Sequence, residues 1–168
     1  VASVGASTKA AGHTVQLIDL RQMGGWKNLA ARLNADGPAD VYGLSVSAVD
    51  HYSALKAVFE IKSRYRDVPV IVGGIHPTIF PEQYDYPVID CVVQGEGEVT
   101  FPKLLEKLSG GEALPKVIRG EQPDLNAIPW VDRGLFDYQR EIECNFTPDQ
   151  PLPSITMLAG RGCPVKIN

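Results

Sequence analysis

Two short apolar runs in this chain stop abruptly at glycine. Val68-Pro-Val-Ile-Val72 leads into Gly73-Gly74-Ile75-His76-Pro77-Thr78, and Asp90-Cys91-Val92-Val93 leads through Gln94 into Gly95-Glu96-Gly97-Glu98. Neither run alternates apolar with polar residues, so each reads as a strand covered on both faces, the habit of a parallel sheet layered between helices. Glycines at a strand's carboxyl end let a ligand approach the backbone, and the carboxylates of Glu96 and Glu98 can accept bonds from hydroxyls or amides. Two such ends in one chain imply one crevice suited to something large and polar.

The remaining pattern alternates strand and helix. Val1 to Gly12 reads as a helix closed by glycine, and Thr14-Val-Gln-Leu-Ile-Asp19 as the first visible strand. A short helix is predicted over Trp26 to Leu33, a strand over Val41 to Val46, and a helix over Tyr52 to Tyr65. After the strand at Val68 to Val72 come a short helix near Pro81 to Tyr84, the strand Cys91 to Gln94, and a helix over Val99 to Leu108. Repeated β-α units with short connections predict an α/β fold, a parallel sheet with helices on both faces. Both ends read as cut, because an α/β domain normally opens with a strand. Counting one strand ahead of Val1 makes five, the flavodoxin-like number. In that order the first strand is central, so another segment (Ser154 to Leu158, or a neighbouring chain) is expected to fill the gap beside Thr14 to Asp19.

Beyond Ser109 the character changes. Gly110-Gly111 breaks the helix, Lys116-Val-Ile-Arg119 suits a short edge strand, and prolines recur from Gln122 to Pro153. Ser154-Ile-Thr-Met-Leu158 then reads as a fresh strand. The expected organisation is a domain over residues 1–109, an extension and linker over 110–153, and the start of a second domain over 154–168.

At 168 residues with 44% apolar content, the chain can bury a sizeable core. A net charge of −4, with no basic run longer than two residues, counts against nucleic-acid binding by phosphate neutralisation. No apolar stretch approaches a membrane span and no signal peptide is visible, so a cytoplasmic location is expected. Cys91, Cys144 and Cys163 are too irregularly spaced for a disulfide framework, and Cys91 reads as a small buried hydrophobe.

The order Gly12-His13-Thr-Val-Gln-Leu-Ile-Asp19, Gly43-Leu-Ser-Val-Ser47, Gly73-Gly-Ile-His-Pro-Thr78, Gly95-Glu-Gly-Glu98, Ile128-Pro129 and Gly160-Arg-Gly-Cys-Pro164 resembles the cobalamin-binding radical SAM proteins. In that family a Rossmann-like B12 domain is joined by a proline-containing linker to a radical SAM barrel, and members include methyltransferases and a porphyrin cyclase. The resemblance implies a corrinoid lying across the carboxyl edge of the sheet, with its nucleotide tail threading where side chains are small. It places Gly73, Gly74, His76, Thr78, Gly95, Glu96, Gly97 and Glu98 along the tail, and Ser45 and Ser47 against the ring's amides. The family's barrel also binds S-adenosylmethionine and a [4Fe-4S] cluster through Cys-x-x-x-Cys-x-x-Cys. Here Cys163 matches the first ligand, but Ile167 stands where the second belongs, so residues 1–168 cannot hold the cluster.

Blander roles stand beside these. A glycine pair after a strand is also a tight turn, and Glu96 and Glu98 also suit solvent or a helix N-terminus. Asp50 suits a helix cap with His51 an exposed neighbour, His13 a surface turn, and Tyr42 and Phe59 the core. No histidine sits in the Asp-x-His-x-x-Gly triplet that replaces the cofactor's own base on cobalt in other B12 domains. The resemblance therefore implies cobalamin held base-off without a histidine ligand, with His76 bonding the tail or ordering its loop. Two other classes remain open, a nucleotide- or sugar-nucleotide-binding α/β domain and a non-catalytic regulatory one. The first lacks the Gly-x-Gly-x-x-Gly fingerprint at its first turn. The second lacks a phosphoacceptor aspartate, since the corresponding strand ends in Ser45-Val-Ser47.

Overall fold

The computed structural model describes residues 1–144 and Arg161. It divides into two compact units, residues 1–135 and 136–168. In the second, the described part holds one short helix, α6 (Tyr138–Cys144), with the Arg140 N–H bonded to the Asp137 carboxylate at 3.1 Å.

The first unit is built on four strands, β1 (Tyr42–Ser45), β2 (Val70–Gly73), β3 (Cys91–Gln94) and β4 (Val117–Arg119). All pair in parallel, in the order β1-β2-β3-β4. The continuous apolar runs explain why. Val70, Val72 and Val92 face one core, with Ala54, Ala57, Val58 and Ile61 of α3 (His51–Arg64) and Leu29 and Leu33 of α2 (Leu29–Asp36). The intervening Ile71, Cys91 and Val93 face a second core, with Leu104 of α5 (Thr100–Ser109). The central strands β2 and β3 thus spend alternate side chains on opposite helical layers, which a polar residue on either face would prevent.

The helices follow from spacing. Residues 54, 57, 58 and 61 form a single stripe on α3, and its burial is worth about 1.5–3 kcal/mol per large aliphatic side chain. Pro102 is the third residue of α5, inside the first turn, where its missing N–H costs no intrahelical bond. The opening helix α1 (Ala2–Ala10) ends before Gly12, whose φ of +93° supplies the left-handed turn. At the start of β2, the Asp90 carboxylate accepts the Val70 N–H at 2.7 Å and the Lys62 ammonium at 2.8 Å.

Three expectations need correction. Thr14 to Asp19 forms no ladder with any described strand; Ile18 instead packs against the first core from irregular backbone. Apolar periodicity reports burial, whereas a strand also requires a backbone partner, and β1 is the edge of the described sheet on that side. Phe59 is 45% exposed, because it lies off the α3 stripe and meets only the edge of Tyr86. Tyr42 does pack on the core, stacked with Tyr65 at 6.2 Å. The segment after Gly74 is not a loop but a short helix, α4 (Ile75–Ile79), followed by a 3₁₀ turn over Pro81–Tyr84. The edge strand expected at Lys116 to Arg119 is present as β4, beyond residue 109, while Ser154 to Leu158 lies outside the described residues.

Candidate functional site

The carboxyl ends of β1, β2 and β3 lie side by side, with Ser45 opposite Gly73 in the register. Gly73 is followed by Gly74 at φ +107°, where an added Cβ would fall 2.7 Å from both the backbone N and O of Val46. Only glycine can make this turn, because the left-handed φ and the close approach coincide. Val46 is held there by two bonds: its N–H donates to the Gly73 carbonyl at 2.8 Å, and its carbonyl accepts the His76 N–H at 3.2 Å. The first two strand ends are therefore laced together through backbone.

The second and third are laced through a side chain. The Thr78 hydroxyl donates to the Gly74 carbonyl at 2.7 Å and accepts the Gly95 N–H at 2.8 Å. The Gln94 amide adds a bond to the Thr78 carbonyl at 3.2 Å. Gly95 is exposed, with φ +92° and no atom within 4 Å of where a Cβ would sit. Ser45, Gly73, Gly74, Thr78 and Gly95 thus form one contiguous rim of small residues facing outward from the sheet. Such a rim can take a bulky polar group against backbone.

Other expected residues are used differently. The Ser47 hydroxyl is bonded to the Asp50 carboxylate, so it braces the start of α3. Asp50 does occupy the N-cap position, though its carboxylate caps no backbone N–H. Gly97 lies against Val4 of α1, and its carbonyl accepts the Phe101 N–H that opens α5. Glu98 is only 5% exposed, which rules out the solvated role, while Glu96 is half-buried. The last two residues of the Gly95–Glu98 segment therefore belong to the underside of the rim. Cys163 lies outside the described residues.

His76 is buried, and its Nδ1 lies 2.8 Å from the hydroxyl of Tyr84. The same hydroxyl lies 2.9 Å from Nδ1 of His51, which is half-buried rather than exposed. Burial pushes the Tyr84 phenol up to about 12, so it stays protonated. Burial, and then the neighbouring His76, lower the His51 imidazole below its usual value. Neither Tyr84 nor His51 carries a sequence signal for this role. Gly120 was also missed, although it repeats the pattern of glycine at a strand end. A Cβ there would overlap the Glu96 carbonyl, and its N–H bonds the Gln94 carbonyl at 2.6 Å.

Comparison with known proteins bears directly on this rim. The profile of the B12 binding domain matches residues 1–105, which include every strand end described above except that of β4. The chain belongs to the B12-binding domain family. The "Uncharacterized methyltransferase PH0819" of Pyrococcus horikoshii is 33% identical over 90% of this chain and 36% of its own length. The cobalamin-dependent radical SAM methyltransferase TokK of Streptomyces tokunonensis is 33% identical, over 58% of this chain and 13% of its own. The hopanoid C-3 methylase of Methylococcus capsulatus is 29% identical over 96% of this chain and 33% of its own length. The chain thus spans little more than a third of the longest-covered of these relatives. No solved structure matches the chain significantly. As a B12-binding domain it is an α/β, flavodoxin-like sheet with positive-φ glycines after β2 and β3. No helix among the described residues is long and apolar enough to cross a membrane.

Proposed function

We propose that this chain is the cobalamin-binding domain of a B12-dependent radical SAM enzyme of the methyltransferase or cyclase type. The observation that carries the reading is the rim of Ser45, Gly73, Gly74, Thr78 and Gly95, inside the matched B12 region. The residues fit the group. Gly95 leaves open space beside its Cα, Ser45 is exposed at its strand end, and the turn at Gly74 brings backbone to the surface. Small residues there admit a nucleotide tail between strand ends, where larger side chains would block it.

In this reading Gly73, Gly74, Thr78 and Gly95 hold the tail, Ser45 faces the ring's amides, His76 orders the turn beside the tail, and Glu96 borders its outer part. Ser47, Gly97 and Glu98 support that surface from beneath. Bound cobalamin would supply a methyl carrier or one-electron chemistry at cobalt. The cofactor would be held base-off and without a histidine on cobalt. Supporting this, none of the three histidines, His13, His51 and His76, sits in an Asp-x-His-x-x-Gly triplet. A radical SAM barrel in the same parent chain would supply S-adenosylmethionine and the [4Fe-4S] cluster, with Cys163 its only candidate ligand in residues 154–168. The parent's location is proposed as cytoplasmic.

The test is direct. The purified chain is incubated with hydroxocobalamin, reduced and desalted, and the protein fraction is examined by visible and electron paramagnetic resonance spectroscopy. Retained cob(II)alamin without nitrogen superhyperfine splitting is expected. A nitrogen splitting would place either the cofactor's own base or a histidine on cobalt and sink the base-off, histidine-free claim, and a colourless protein fraction would sink cobalamin binding.

A further inference from the structure

The Tyr84 hydroxyl lies between two helices that begin at neighbouring strand ends. His51 is the first residue of α3, which follows β1, and His76 the second residue of α4, which follows β2. The two rings are 4.8 Å apart, and Tyr84 is fully buried, edge-on to both. One hydroxyl has one proton. It can donate to only one Nδ1, so the other Nδ1 must carry hydrogen and donate to the phenol oxygen. With the phenol proton given to one Nδ1, the two rings take opposite roles there, one accepting and the other donating. Removing the hydroxyl would leave a buried Nδ1 without its partner and free both rings to turn.

We infer that Tyr84 is a positioning residue for the ligand rim: by bonding His51 and His76 together, its hydroxyl sets the turn after β1 against the turn after β2. This rests on the cobalamin reading. Thr78 performs the equivalent tie between the turns after β2 and β3, so two hydroxyls, one buried and one at the rim, align three strand ends. Tyr84 itself does not reach the surface and touches no ligand. Its effect passes through the backbone of the Gly74–His76 turn, whose N–H at His76 is bonded to Val46.

The experiment uses the full 168-residue chain and cob(II)alamin as probe, comparing wild type with Tyr84→Phe, His51→Phe and Leu104→Ala. Leu104 lies in the second core, on the other side of the sheet, and its truncation lowers thermal stability without touching the network. With the third histidine, His13, assigned separately, ring nitrogen NMR of the wild type is expected to show one hydrogen-bearing and one bare Nδ1 for His51 and His76, a difference lost in Tyr84→Phe. Tyr84→Phe and His51→Phe are expected to weaken cob(II)alamin binding by about tenfold at a temperature where they remain folded. Leu104→Ala, despite an equal or larger fall in thermal midpoint, is expected to bind like the wild type. Should Tyr84→Phe not fold, His51→Phe carries the test, since it cuts the same tie at a half-buried position. Unchanged affinity in the folded network variants, or an equal loss in Leu104→Ala, overturns the positioning role and leaves cobalamin binding standing. Failure of the wild type to bind overturns both.

Discussion

The Thr78 hydroxyl accepts the Gly95 N–H at 2.8 Å while donating to the Gly74 carbonyl at 2.7 Å, so one side chain joins the glycine turns at positions 74 and 95. Glycine turns are conformationally loose in isolation, since they lack a Cβ to restrict φ and ψ. A shared hydroxyl makes their relative position a property of the fold. Thr78→Val keeps the β-branched shape and deletes both bonds. It is expected to cost about 1 kcal/mol in urea unfolding. Cobalamin retention should fall in parallel with disorder at residues 94–96 in amide NMR; unchanged amide shifts there would count against the tie.

Gly74 and Gly95 separate two reasons for glycine. Both have positive φ, but an added Cβ at Gly74 would collide with Val46 backbone, whereas at Gly95 it would meet nothing within 4 Å. Gly95→Ala should therefore cost only backbone strain, about 1 kcal/mol. Gly74→Ala should cost clearly more, about 3 kcal/mol, because strain and overlap add. Chemical denaturation of the two variants checks the order, and equal losses would show that the turn at Gly74 relaxes.

Burial pushes the Cys91 thiol up to about 11, and Asp90 adds to the rise. In the native protein at pH 8, iodoacetamide should leave Cys91 unmodified, and after denaturation it should label it fully. Peptide mass mapping reads both states. Labelling of Cys91 in the folded chain would mean that β3 opens to solvent.

Asp19 offers a pH signature. The Arg21 guanidinium, through hydrogen bonds at 2.8 and 3.1 Å, holds its carboxyl below the ordinary 3.8 despite partial burial. A folded value below the unfolded one means the stabilising effect is present above about pH 4 and is lost as pH falls through the folded value. The stability difference between wild type and Asp19→Asn should be level near neutrality, below about 1 kcal/mol because Arg21 is largely exposed, and should close in acid. Urea unfolding across pH 2.5–7 (about the range where carboxylates titrate) measures it; a gap that widens in acid would reverse the assignment.

Strands β2 and β3 were legible because their runs are apolar on both faces, and helices α3 and α5 because their buried residues repeat at helical spacing. These are local patterns that burial imposes on any chain. The glycines of the rim were legible for the same kind of reason, since few residues other than glycine follow a buried strand into a tight turn. Thr14 to Asp19 carried the period of a strand without a ladder, because hydrogen-bonded pairing is a relation to another segment and no periodicity records it. Glu98 looked like a solvated carboxylate because a charged side chain after a strand end usually meets water, yet it is buried, beside a Gly97 that lies against Val4 of α1.

The sequence by itself therefore determined the α/β class, the glycine-bearing strand ends and the family, each written in neighbouring residues. Only the tertiary structure decided which side chains align those ends. Tyr84 lies 33 residues from His51 and 8 from His76, and Gly120 lies against Glu96 from a different strand. Their roles arise from proximity across the sheet's edge, where hydrogen bonds form between groups that the chain brings together only by folding.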